Sequence, residues 1–185
     1  SISGFGHTGP DRNLGSYDFL IQGRGGFMSI TGERNGPPMK VGVAIVDVAT
    51  ALFASNAILA ALFARERTGV GQHLDIALFD SQLALLANIG SNHLCSGEVP
   101  QRWGNAHASI VPYQAFQAAD DYLILAIGND GQWERFCEAA GVSAWAKDVR
   151  FATNPQRVAH RDVLIPFLED LLRQKTVAEW LQRCD

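Results

Sequence analysis

The chain has 185 residues, 47% of them apolar, with a formal net charge of −4 from 15 Lys and Arg against 19 Asp and Glu. That is enough to bury one good-sized domain or two small ones, and the scattered cations offer no basic face for nucleic acid. Cys95, Cys137 and Cys184 are odd in number and far apart, so neither a disulfide framework nor a zinc site is expected, and a reducing, cytoplasmic setting fits them.

In chain order, SISGFG reads as the end of a buried strand entering a turn, and the Gly-, Pro-, Asp- and Asn-rich residues up to 15 as a surface loop. The spacing predicts a short helix over 16–27, with Tyr17, Leu20 and Ile21 on one face, broken by glycines at 23, 25 and 26. Asn35-Gly36 marks a tight turn and Pro37-Pro38 a stiff extended link. These deliver the chain to VGVAIV, residues 41–46, which reads as a strand. Asp47 then stands just before a long helix in which Leu52, Ile58, Leu59, Leu62 and Phe63 recur at helical spacing, Arg65 and Arg67 fall in the last turn and Gly69 supplies the stop. Val41 to Ala64 is the longest apolar stretch, but Asp47, Ser55 and Asn56 interrupt it, so it is expected to be a buried helix and no membrane partner is expected. HLDIALF, residues 73–79, reads as a second strand, and Asp80 as the cap of a helix over 81–94. Strand, helix, strand, helix in this order predicts a partly parallel α/β layer with a right-handed crossover.

Residues 95–105 combine Gly, Pro and charge, and the organisation changes there. We place part of a large α/β domain at 1–97, a linker at 98–106 and a small α+β domain at 107–185. Within the latter, 110–116 and 122–127 predict a β-hairpin. Asn129 or Asp130 should cap a helix over 132–140 that Gly141 ends, a long helix should cover 156–174, and Thr176 with Glu179 forms a capping box for a last helix. A first residue other than Met and a final VAEWLQRCD inside a helical pattern read as a chain cut at both ends.

Asp47 is the residue that needs an explanation. An aspartate at a helix start is a preferred cap, and the free N–H groups and positive dipole end there favour its ionised form, which also suits a nucleophile. His7, His73 and His93 have no metal-ligand spacing, and no phosphate-binding glycine fingerprint is present.

The order SISGFGHTGP, then GSYDFLIQGRGGFMSITGE, then GPPMKVGVAIVDVATALFASNAILAALFARERTGVGQHLDIALFDSQ resembles the class III CoA-transferase family, which includes carnitine CoA-transferases, formyl-CoA transferases and the alpha-methylacyl-CoA racemases. The resemblance implies part of a Rossmann-like large domain followed by a small α+β domain, in chains about twice this long that form interlocked homodimers. It places the nucleophile on Asp47, which would carry coenzyme A as an aspartyl-CoA thioester, with CoA and acyl-CoA as substrates, no resident cofactor and no metal. Tyr17 falls where the racemase branch carries a catalytic histidine; a phenol is a poor base at neutral pH, so the position favours transfer over racemisation or isomerisation. Formyl-CoA transferases carry a run of four glycines where this chain reads RWGNAHASIVPYQAF, residues 102–116. That stretch is closer to succinyl-CoA-dependent transferases acting on dicarboxylates such as glutarate than to those acting on formate or oxalate. Arg102 and His107 are then expected to bind a distal carboxylate, with Tyr17, Gln22, Gly104 and Asn105 completing the substrate-binding set. The other readings are an acyl-CoA racemase of the same fold and a non-catalytic fragment.

Overall fold

The computed structural model describes residues 1–184, and the chain divides into two compact units, Ser1–Gly104 and a second from Asn105 onward. In the first, strand β1 (Ile2–Ser3) is followed by helices α1 (Asp18–Arg24), α2 (Phe27–Ile30) and α3 (Ile45–Thr68), then strand β2 (Ile76–Ala77) and helices α4 (Leu78–Leu85) and α5 (Ala87–Ser96). β1 and β2 pair in parallel, with Ile2 opposite Ile76 and Ser3 opposite Ala77.

The parallel pairing expected from the order of elements is therefore present, but its first strand is the start of the chain. VGVAIV is not a strand: residues 41–44 are irregular and α3 begins at Ile45. Val46, Ala49, Thr50 and Ala54 are buried at helical spacing, so the apolar run is the inward stripe of a helix, a pattern that a short run shares with a buried strand. Asp47 is consequently the third helical residue rather than the cap, and Asp80 holds the same place in α4. The helix predicted over 81–94 is two helices, broken at Leu86 and Ala87, where Ala87 takes a positive φ of 44°. Gly69 ends α3 as the spacing predicts, with φ 71° and its N–H donating to the Arg65 carbonyl at 2.7 Å.

Ile21, Phe27 and Val46 centre the core of this unit, with Phe5, Val41, Ile45, Leu78 and Phe79 packed around them. Most of α3 lies outside that core. Leu59 and Phe63 are 65% and 67% exposed, so the expected buried helix is instead half-bare, and among the described residues it is the one helix long and apolar enough to cross a membrane by length and composition.

In the second unit, β3 (Tyr113–Gln117) and β4 (Tyr122–Ala126) form the expected antiparallel hairpin, with Tyr113 opposite Ala126. Helices α6 (Asp130–Ala140), α7 (Ser143–Lys147), α8 (Asn154–Ala159), α9 (Arg161–Leu172) and α10 (Val177–Cys184) follow. The Asn129 side chain accepts from the Gln132 N–H at 2.9 Å to open α6, and Gly141 closes it with φ 78°. At α10, Thr176 N–H donates to Glu179 Oε2 at 2.8 Å and the Glu179 N–H returns to Thr176 Oγ1 at 3.3 Å, the capping box read from the sequence. The helix predicted over 156–174 is α8 and α9, interrupted at His160. α8 starts early because the Asn154 N–H donates to Asp130 and Pro155 is tolerated in a first turn.

Trp133, Phe136, Phe116, Phe151, Leu164, Leu168 and Trp180 form this second core. Arg157 is buried among them, donating to the Val111 carbonyl at 2.6 Å, the Phe151 carbonyl at 3.0 Å and Asp130 Oδ1 at 2.9 Å while lying over the Trp133 ring. Each face of the cation has a partner, which is the condition for burying one.

Candidate active site

Asp47 sits in the first turn of a 24-residue helix and is exposed. Among the described residues its carboxylate holds no hydrogen bond or ion pair. The first N–H groups of a helix need acceptors from elsewhere, yet the residue in the capping position, Ala44, has none to offer. The acceptor comes from another helix: Asp18 Oδ1 in α1 takes the Val46 N–H at 2.8 Å. Asp18 Oδ2 accepts from Gln22 Nε2 at 2.7 Å, and Gln22 Oε1 in turn accepts from the Val41 N–H at 2.8 Å. α1 thus grips both ends of 41–46, the segment that leads into Asp47.

Gln22 is completely buried and spends both ends of its amide in this relay, so it acts on the site through the backbone it holds. Tyr17, one residue before Asp18, is 83% exposed at the start of α1. Arg102 is directed at α2 and the loop that follows it. Its Nη2 donates to the Gly36 carbonyl at 2.8 Å, with longer approaches of Nε to the Glu33 carbonyl at 3.4 Å and Nη1 to the Met28 carbonyl at 3.5 Å. The Gly104 N–H joins the same loop at the Gly32 carbonyl, 2.9 Å. Gly104 has φ 59°, a backbone conformation that favours glycine.

Asp47, Tyr17, Gln22, Arg102 and Gly104 therefore belong to the first unit, while Asn105 and His107 open the second. His107 is held locally: its N–H donates to the Tyr113 carbonyl at 2.9 Å, its Nδ1 accepts from the Ser109 N–H at 3.0 Å, and Arg161 donates to its carbonyl at 3.2 Å. Asp18 is not among the residues singled out from the sequence. Its signal was the four-residue spacing to Gln22, which puts the two side chains on one face of α1.

No group of three or more His, Cys, Asp or Glu side chains able to hold a metal ion occurs among the described residues. What the arrangement offers chemically is an exposed carboxylate with both oxygens available in the first turn of a helix.

The model of CoA-transferase family III matches residues 1–185. Over 161 residues the chain is 53% identical to a succinate–glutarate CoA-transferase of Agrobacterium fabrum, covering 87% of this chain and 40% of that protein. An acetyl-CoA:oxalate CoA-transferase of Acetobacter aceti is 38% identical over 98% of this chain and 47% of its own length. Among solved structures, a CAIB/BAIF family protein from Brucella suis superposes with a TM-score of 0.80 at 48% identity, covering 100% of this chain and 49% of that one. The chain spans less than half the length of each of these relatives.

Proposed function

This chain belongs to CoA-transferase family III, and from that premise we propose that it carries the nucleophile, Asp47, of an enzyme that moves coenzyme A from a succinyl-CoA-like thioester to a small dicarboxylic acid. The observation that carries the proposal is the exposed Asp47 carboxylate, free of partners among the described residues, in the first turn of α3.

In the proposed sequence the Asp47 carboxylate adds to the donor thioester carbonyl and expels CoA thiolate, leaving a mixed anhydride. The thiolate attacks the aspartyl carbonyl of that anhydride, releasing the donor acid and forming an aspartyl-CoA thioester. The acceptor carboxylate adds to this thioester, again freeing thiolate, which attacks the acceptor's own carbonyl to give the new acyl-CoA and restore Asp47. Each step exchanges one acyl bond for another, so no redox partner enters and no resident cofactor is part of the proposal. Backbone N–H donors near the reacting carbonyl would stabilise the tetrahedral oxyanions.

In this reading Tyr17 and His107 contact substrate, whereas Gln22 and Arg102 serve by holding 41–46 and the 28–36 loop in place. The Agrobacterium succinate–glutarate CoA-transferase supports glutarate as acceptor and the Acetobacter acetyl-CoA:oxalate CoA-transferase supports testing oxalate beside it, although 102–116 lacks the glycine run. The proposal includes a Rossmann-like large domain and a cytoplasmic homodimer, whose assembly would cover the bare face of α3.

The test is incubation of the full-length protein with succinyl-CoA, trapping with hydroxylamine and mapping of the modified peptide. Label at Asp47 that disappears in Asp47→Ala is the expected result. Failure of several acyl-CoA donors to leave any adduct there would reduce Asp47 to a first-turn helix carboxylate.

A further inference from the structure

We propose that Asp18 is the positioning residue of the Asp47 site: by capping α3 from a neighbouring helix, it leaves the carboxylate of Asp47 unbonded and aims the turn that presents it. The inference rests on the reading of Asp47 as nucleophile.

A helix start is ordinarily served by a side chain at the capping position or by a carboxylate three residues in that reaches back. Here the capping position is Ala44 and the carboxylate three residues in is Asp47. Asp47 is thus the residue of this turn best placed to reach back to a helix-start N–H, and it makes no such bond, while the Val46 N–H of the same turn is held from outside by Asp18 Oδ1. Asp18 does nothing comparable for its own helix, where the capping residue, Tyr17, makes no side-chain cap. Its second oxygen continues through Gln22 to the Val41 N–H, so one carboxylate fixes both ends of the six residues before Asp47.

The chemistry of the relay is directional. Asp18 is acceptor-only, which forces Gln22 to present its N–H₂ to Asp18 and its oxygen to Val41. An asparagine at position 18 can still accept from Val46, but its own N–H₂ then meets that of Gln22, and turning Gln22 round would set a donor against the Val41 N–H. One bond is lost either way. Changing Gln22 to glutamate at the same time restores a full set, with the charge moved four residues along α1 and the total unchanged.

The experiment uses the full-length protein in four forms: wild type, Asp18→Asn, the Asp18→Asn/Gln22→Glu pair, and Asp47→Ala. Two quantities are read, amide hydrogen exchange across 41–47 and steady-state CoA transfer from succinyl-CoA to glutarate. For Asp18→Asn the expected result is exchange faster by about tenfold and kcat lower by about tenfold, with KM for the thioester within about threefold, because a misplaced nucleophile costs rate rather than binding. The paired variant should return both quantities to within about threefold of wild type, as interacting sites depart from additivity. Wild-type exchange and kcat in Asp18→Asn, or a pair no better than the single variant, would overturn the proposal. If Asp47→Ala is inactive while Asp18→Asn matches wild type, Asp18 alone is misread. If Asp47→Ala retains transfer, the nucleophile assignment itself has failed.

Discussion

Replacing Arg102 with methionine separates two roles that the same guanidinium could play. As a holder of the 28–36 loop, it contributes chiefly through the 2.8 Å bond to the Gly36 carbonyl, since approaches of 3.4 and 3.5 Å are at the limit of hydrogen bonding. A charged donor on a carbonyl is worth roughly 1.5–3 kcal/mol, and the lower end applies to a half-buried side chain. About 1.4 kcal/mol corresponds to a tenfold change in an equilibrium, so the amides of 28–38 should exchange about tenfold faster in Arg102→Met. Loosening a loop does not discriminate between acceptors. Transfer to glutarate and to a monocarboxylate such as butyrate should therefore fall together, and a lysine at 102 should recover little because it lacks the planar fork that spans several carbonyls. Acceptor competition assays with the full-length protein, run beside hydrogen exchange, decide the matter. A KM for glutarate raised about a hundredfold, with butyrate transfer and loop exchange untouched, would refute the reasoning and make Arg102 a carboxylate ligand.

Three further outcomes follow from the second unit. Arg150 bonds to Asp148 hold its carboxyl down at about 2 from an ordinary 3.8, so the pair stabilises the fold above pH 4 and the contribution fades as pH falls through 2. In Arg150→Ala the Asp148 midpoint followed by carbon NMR should return toward 3.8, and an unmoved midpoint would show that the guanidinium is not the cause. Burial pushes the Cys137 thiol up to about 12, so iodoacetamide at pH 8 should leave it unmodified until denaturant is added; labelling of the folded protein at the rate of exposed Cys95 would contradict this. Arg157→Met should cost about 3 kcal/mol in denaturant unfolding, mostly from the Val111 and Phe151 carbonyls left without a donor in the core, because Asp130 is half-exposed and rehydrates. A loss under about 1 kcal/mol would mean that the core relaxes around the change.

Features whose cause is local were readable from the chain. The stop of α3 at Gly69, the Asn129 cap, the Thr176–Glu179 box and the 113–126 hairpin each depend on residues within a turn or two of one another. Errors came where a distant partner decides. VGVAIV fits strand and helix equally by pattern, and the helix start is held by a carboxylate 28 positions before Val46. The unbroken helix predicted over 156–174 overlooked that Asp130 anchors Asn154 and so begins α8 two residues sooner. The carbonyl acceptors of Arg102 lie 66 to 74 residues away, so these bonds had no local signal beside the expectation of a substrate ligand. The bareness of α3 could not be seen either, for apolar periodicity reports that a face is meant to be covered without saying by what.

Because α3 is capped by Asp18, the stability of the fold and the identity of residue 47 are nearly independent. Most proteins that lose a functional carboxylate at a helix start also lose part of what holds that helix, and selection then removes them for instability before any new role is tried. Here a substitution at 47 leaves every hydrogen bond of the helix start in place. On the role proposed for Asp47, a gene copy could shed its chemistry in one step, remain folded, and persist as a binder of its former substrates. On the same proposed role, Asp47→Ala should give the experimenter a folded protein in which a bound donor thioester stays uncleaved.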